Sequence, residues 1–205
     1  MKNKKELALI LSKLKDFESY DVELEQYSTP SEISAEVLWT ACLNADIENK
    51  VILDAACGPG YFGIGALLLG AKKVYFVDID EKILKIAKEN INNIKKGYSI
   101  GKFTIQNKNI SDFKKKVDTV IQNPPFGVQK KHADKIFLEK AMEVSKKIYS
   151  IHKIESEGFI KKIAVENNFM LNKIMPLIFS IKQTQKFHKR PIYRFKAGCF
   201  ILSKV

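Results

Sequence analysis

The sequence predicts a doubly wound α/β fold, with a seven-stranded, mostly parallel sheet that ends in an antiparallel C-terminal hairpin. Three observations predict it. Short apolar runs rich in β-branched residues alternate with amphipathic helical stretches along the chain. The last two strand-like runs, near residues 169–181 and 193–202, have no helix between them, so they pair as antiparallel neighbours. The 205 residues show no internal repeat or low-complexity tract and can enclose one sizeable core.

Taken in order, Leu7, Ile10, Leu11, Leu14 and Phe17 recur at helical spacing, which predicts an amphipathic helix over residues 6–17. Thr29-Pro30-Ser31-Glu32 has the form of a capping box opening a second helix to about residue 44, with Thr29 as the cap. Residues 1–45 are thus a helical extension with its loop, and residues 46–205 the main domain of one compact unit. Within that domain strands are expected over residues 50–56, 74–78, 103–105, 117–121 and 148–151. Helices are expected over residues 61–69, 81–96, 134–147 and 159–167.

Composition narrows the partners. The chain carries 35 Lys and Arg against 23 Asp and Glu, a formal charge of +12, which favours a polyanion such as RNA. Lysine enrichment can also be a whole-proteome habit, so charge alone does not decide. Cys42, Cys57 and Cys199 are scattered, as are His132, His152 and His188, so no metal site and no disulfide framework is expected. Reduced thiols, no signal-like apolar core and no membrane-length apolar run point to a cytoplasmic protein with no membrane association.

The chemistry concentrates in two strings. Asn123-Pro124-Pro125-Phe126 follows an apolar strand and is halted by prolines, so it stands at a strand's carboxyl end, where ligands of open parallel sheets collect. The Asn123 side-chain oxygen and the Pro124 carbonyl can each accept an N–H from a planar nitrogen whose lone pair is otherwise delocalised. Prolines stiffen the turn, and Phe126 offers a face on which a base can stack. Gly58-Pro59-Gly60-Tyr61-Phe62-Gly63 matches the dinucleotide pattern G-x-G-x-x-G, with Asp78 suited to the two hydroxyls of a ribose.

Three features favour S-adenosylmethionine over a nicotinamide. Asp54 before the glycine turn suits an ammonium group and would repel a pyrophosphate. An acceptor site at Asn123 does nothing for hydride transfer but suits delivery of nitrogen to a methyl sulfonium. The closing antiparallel hairpin is also unusual in a nicotinamide domain.

Asp54-Ala55-Ala56-Cys57-Gly58-Pro59-Gly60, Asp78-Ile79-Asp80-Glu81 and Asn123 to Gly127 together resemble a Rossmann-like class I methyltransferase of the amino-methylating group. With Leu24-Glu25-Gln26-Tyr27, Tyr149-Ser150-Ile151-His152-Lys153 and Phe187-His188-Lys189, the chain is similar to the methyltransferase-like protein 5 family, which methylates adenosine N6 in small-subunit ribosomal RNA. The resemblance implies that Gln26 and Thr29 fold over the cofactor and that the turn of Asp54, Ala56, Cys57, Gly58, Pro59 and Gly60 holds its methionine moiety. It implies Asp78 on the ribose and Ile79 against the adenine. Asn109 stands near the aspartate that receives the adenine amino group in the family, with Asp112 as the alternative. Ala56 replaces the glycine of the common pattern. A small zinc-ribbon activator subunit is implied as partner. Lys130 and Lys131, beside the Asn123 loop, and Phe187, His188, Lys189 and Arg190, on the closing hairpin, are expected to touch RNA. Alternatives are a protein glutamine N5-methyltransferase, since an amide nitrogen suits the same tetrapeptide, or an RNA-binding protein of the same fold without catalysis.

Overall fold

The computed structural model describes residues 1–17, 29–125, 133–182 and 192–205. Helix α1 (Lys4–Leu11) starts where the Asn3 side-chain oxygen accepts from the Glu6 N–H, and buries Leu7 and Leu11. It ends short of the predicted span, so Phe17 lies beyond it rather than on its last turn. Helix α2 (Ser31–Leu43) also corrects an expectation: Pro30 occupies the N-cap position and no side chain caps the helix. Thr29 is no cap, because its hydroxyl is turned elsewhere, toward Asn123 at 2.8 Å.

The alternation that follows is β1 (Val51–Ala55), α3 (Tyr61–Leu68), β2 (Lys73–Asp78), α4 (Glu81–Lys95), β3 (Lys102–Asn107) and β4 (Thr119–Gln122). It continues with α5 (Ala133–Val144), β5 (Lys147–Lys153), α6 (Glu157–Glu166), β6 (Phe169–Lys182) and β7 (Ile192–Lys204). The seven strands lie in the order β3-β2-β1-β4-β5-β7-β6; β1 to β5 are parallel, and β7 is antiparallel to both of its neighbours. Strand β4 begins two residues later than its apolar run, and Asp118 explains why. Its carboxylate accepts from the Val51 N–H at 2.7 Å while its own N–H donates to the Val51 carbonyl, a clasp that replaces the first ladder rung.

Each face of the sheet buries its own core. Leu7, Leu38, Ile52, Ile64, Phe76 and Ile121 pack on the face covered by α1 to α4. Leu53, Val120, Leu138, Ile148, Ile160 and Phe200 pack on the other, under α5 and α6. From β1 the chain proceeds outward to β2 and β3, then returns to lay β4 on β1's other side. Ligands of such sheets bind where this order reverses, outside the carboxyl ends of the two diverging strands. Here those ends are Ala55 and Gln122, which are register partners.

Helix α3 can lie this close to the sheet because Gly63 has no side chain: a Cβ there would stand 2.2 Å from the buried Phe76 ring. Gly63→Ala should therefore lose about 1–2 kcal/mol despite its better helix propensity, read as a lower urea midpoint at unchanged m-value.

Candidate active site

Beyond β1 the chain turns sharply back into α3. Ala56, Gly58 and Gly60 have φ of +53°, +51° and +93°, so three of five consecutive residues are left-handed. Two are the glycines that suit this conformation, whereas Ala56 holds it against a steric cost of about 1–2 kcal/mol. The turn is tied down by the Cys57 N–H donating to the Val77 carbonyl and the Gly60 N–H to the Cys57 carbonyl. Asp54, 1% exposed, accepts from the Gly63 N–H through Oδ2 at 2.7 Å, while its Oδ1 has no hydrogen-bond partner. Burial pushes its carboxyl well above the usual carboxylate range, against the lowering effect of the Gly63 bond, and the nearby Asp78 charge raises it further. The Cys57 thiol is likewise pushed up by burial and by Asp54 and Asp78, which makes it inert at neutral pH.

Strand β2 delivers Asp78 to the same edge. Its carboxylate accepts from the Gly58 N–H at 2.9 Å and from the Asp80 N–H at 3.1 Å, so it is bonded directly to the turn that leaves β1. Burial raises its carboxyl too, offset in part by these two bonds. Ile79 follows, half exposed, with its carbonyl accepting from the Asn107 side chain. Asp80 caps α4 through the Lys82 and Ile83 N–H groups. Asn109 is exposed, and its side-chain oxygen accepts from the Ser111 N–H and hydroxyl at 3.0 and 2.9 Å, capping a short 3-10 turn that includes Asp112.

Strand β4 delivers Asn123. Its Nδ2 donates to the Thr29 hydroxyl at 2.8 Å, a contact between residues 94 positions apart. The bond engages the nitrogen end of the amide. Pro124 is buried and Pro125 half-buried behind it. Asp54, Ala56, Cys57, Gly58, Pro59, Gly60, Asp78, Ile79, Thr29 and Asn123 are therefore drawn to one edge of the sheet by the exits of β1, β2 and β4. Gln26, Phe126, Lys130, Lys131, Phe187, His188, Lys189 and Arg190 lie outside the described residues.

Residues 32–152 match the methyltransferase small domain family. The chain is 32% identical to the uncharacterized protein MJ0284 of Methanocaldococcus jannaschii, covering 100% of this chain and 96% of that one. It is 33% identical to the rRNA N(6)-adenosine-methyltransferase METTL5 of Danio rerio over 91% of each chain. This chain belongs to the methyltransferase-like protein 5 family. A crystal structure of a Pyrococcus horikoshii protein, PH1948, described as a candidate RNA methyltransferase, superposes with a TM-score of 0.90 at 41% identity, covering 100% of this chain and 98% of that one. The fold is accordingly that of a class I methyltransferase, and the protein is an enzyme that uses S-adenosylmethionine.

The edge of this methyltransferase's sheet fits that cofactor on two counts. The orphaned Asp54 Oδ1 is a buried acceptor that lacks a donor, which an amino acid's ammonium can supply. Gly58 leaves a cradle beside its backbone that a Cβ would fill, 3.3 Å from the Phe17 ring.

Two supporting residues escaped the sequence reading. Phe17 leaves α1 behind to cover Gly58. Asn90, 2% exposed on α4, accepts from the Lys15 N–H and donates to the Lys15 and Pro59 carbonyls at 2.9 and 3.0 Å. It thereby fastens the N-terminal segment to the glycine turn. Its spacing from Ile83, Ala87 and Ile94 put it on the apolar face of α4, a signal that a buried asparagine would be found there.

Because burial keeps the Asp54 proton on to unusually high pH, an ammonium arriving at its carboxylate must displace that proton. Affinity for S-adenosylmethionine should thus rise as pH climbs from the usual carboxylate range toward neutrality, as long as the ligand's own ammonium remains charged. Calorimetry in buffers of different ionisation enthalpy should detect proton release. Asp54→Asn should bind more weakly and with a flatter pH dependence.

Proposed function

We propose that the protein methylates adenine N6 in a structured RNA, and specifically in small-subunit ribosomal RNA. The observation that carries this reading is the Asn123 amide, fixed by Thr29 at the strand edge beside the Asp54–Asp78 turn. The name of the Danio rerio relative, matched over nine-tenths of both chains, supports the substrate.

In this reading Asp54 holds the ammonium of the cofactor, the backbone of Ala56, Cys57, Gly58, Pro59 and Gly60 lies along its methionine moiety, and Asp78 holds the ribose. Ile79 lies against the adenine, and Asn109 or Asp112 receives the adenine amino group. The Ser111 N–H and hydroxyl both donate to the Asn109 oxygen, which favours Asp112. Gln26 and Thr29, in the segment 1–45, cover the cofactor, and residues 46–205 carry the catalytic domain.

When bound, S-adenosylmethionine supplies an electrophilic methyl group on a sulfonium. The target base leaves its stack and lies on Phe126. Its amino group donates one hydrogen to the Asn123 side-chain oxygen and one to the Pro124 carbonyl, which turns the nitrogen lone pair outward. The two acceptors also stabilise the positive charge that develops on nitrogen, and Pro125 keeps them from relaxing away. The proton released afterwards passes to water, since a methylated aryl ammonium is strongly acidic. Lys130, Lys131, Phe187, His188, Lys189 and Arg190 engage the RNA; the formal charge of +12 supports a polyanionic partner. A small zinc-ribbon activator subunit completes the enzyme, on the strength of the family resemblance, and the scattered free cysteines support a cytoplasmic setting. Among the described residues no helix is long and apolar enough to cross a membrane.

Asn123→Ala should cut turnover by about 100-fold or more while cofactor affinity changes less than about twofold. Mapping N6-methyladenosine in ribosomal RNA from cells with the wild-type gene, without it and with the Asn123→Ala allele should show one adenosine methylated only by the first. Label transferred to protein, protease-sensitive and nuclease-resistant, would replace this reading with amide methylation.

A further inference from the structure

Next to Asn123, on the opposite face of the sheet, four polar side chains line up in an apolar core. Gln122, Ser150 and His152 are each no more than 1% exposed, and the Asp134 side chain, 13% exposed, stands at their outer end. Gln122 and Ser150 are register partners on β4 and β5, and His152 lies two residues further along β5, on the same face. The Gln122 Nε2 donates to the Ser150 hydroxyl at 2.9 Å, and that hydroxyl lies 2.6 Å from His152 Nε2. His152 Nδ1 faces Asp134 Oδ2 across 3.7 Å. The imidazole is held on edge against Phe200 at a centroid distance of 5.8 Å.

The order Asp, His, Ser is that of a hydrolytic triad, but a nucleophile must meet substrate, and Ser150 is fully buried. The direction of the bonds says what the row does instead. Gln122 Nε2 can only donate, so the Ser150 oxygen accepts and its O–H points on to His152 Nε2. That makes Nε2 an acceptor and puts the imidazole proton on Nδ1, toward the Asp134 carboxylate. The Asp134 carboxylate on α5 lies beyond hydrogen-bond reach of Nδ1, so it favours that tautomer through its charge, while the bonded row runs from His152 Nε2 back to Gln122, the residue before Asn123. Among the described residues Gln122 Oε1 and His152 Nδ1 have no hydrogen-bond partner, and breaking either bond of the row would strand a further buried group at about 1–3 kcal/mol, so the row resists a shift of the end of β4.

We propose that His152 is a positioning residue for methyl transfer: with Asp134 behind it, and through Ser150 and Gln122, it fixes the end of β4 from which Asn123 projects. This rests on the reading of Asn123 as the acceptor of the base's amino group. His152→Ala and Ser150→Ala lower kcat by roughly 10- to 100-fold, the scale of a misplacement near 1 Å, while KM for RNA and Kd for S-adenosylmethionine stay within about twofold. His152→Gln, whose amide oxygen can take the place of Nε2 as acceptor, recovers most of the lost kcat.

A second readout needs no substrate. In ¹⁵N-histidine-labelled protein, long-range ¹H–¹⁵N correlations show the resonances lost in His152→Gln as a neutral ring protonated at Nδ1, and Ser150→Ala removes that preference. A ring protonated at Nε2, a kcat for His152→Ala within twofold of wild type, or equal losses in His152→Gln and His152→Ala would overturn the proposal. Should Asn123→Ala retain wild-type turnover, the reading of the site falls first and the proposal with it. Should Asn123→Ala be inactive while His152→Ala is not, the proposal alone falls.

Discussion

The parallel pairing of β1 with β4, with Ala55 opposite Gln122, is the constraint on which everything else hangs. Neighbouring parallel strands are about 4.8 Å apart, and here the chain leaves their carboxyl ends in divergent directions. The turn that begins at Ala56 and the tetrapeptide that begins at Asn123 are thereby forced to start side by side. Cofactor chemistry belongs to the first and nitrogen presentation to the second. A sheet that reversed its order at any other pair of strands would hold the same residues and leave them too far apart to cooperate.

Around that pairing the polar groups are arranged in two different ways. On the glycine-turn side, Asp54 is left with an unanswered oxygen and Asp78 with a carboxylate whose burial is only partly offset, so the edge is electrostatically incomplete. On the far side, Gln122, Ser150 and His152 bond to one another, and the atoms without a hydrogen-bond partner among the described residues, Gln122 Oε1 and His152 Nδ1, are shut away from solvent. The first arrangement waits for a cationic, hydroxylated ligand. The second holds its shape whether or not a ligand is present. Site function and site rigidity are divided between the two faces of one strand end.

Much of this was legible in the residues. The alternation of strand and helix gave the sheet, and the absence of a helical stretch between residues 181 and 193 gave its antiparallel closing pair, because both follow from local periodicity. Asp54, the glycine turn and Asp78 could be read because their spacing is set by one strand, one turn and the next strand. What escaped depended on contacts remote in sequence. Thr29 looked like a helix cap because capping is decided within four residues, whereas its actual partner is 94 residues away. The role of Phe17 was hidden in the same way: its helical spacing suggested α1, which ends at Leu11, and its ring lies beside Gly58. Ser150 read as a strand residue and His152 fell just past the expected strand of residues 148–151, and only the register of β4 against β5 shows that Gln122 meets them.

Asn90 grips main-chain atoms alone, the amide and carbonyl of Lys15 and the carbonyl of Pro59. Side chains at positions 15 and 59 can therefore drift over evolutionary time without loosening the N-terminal strap, while position 90 cannot. Comparisons that search for correlated changes would find no covarying partner for this asparagine, and a joint that secures the cofactor turn would look like an isolated invariant column.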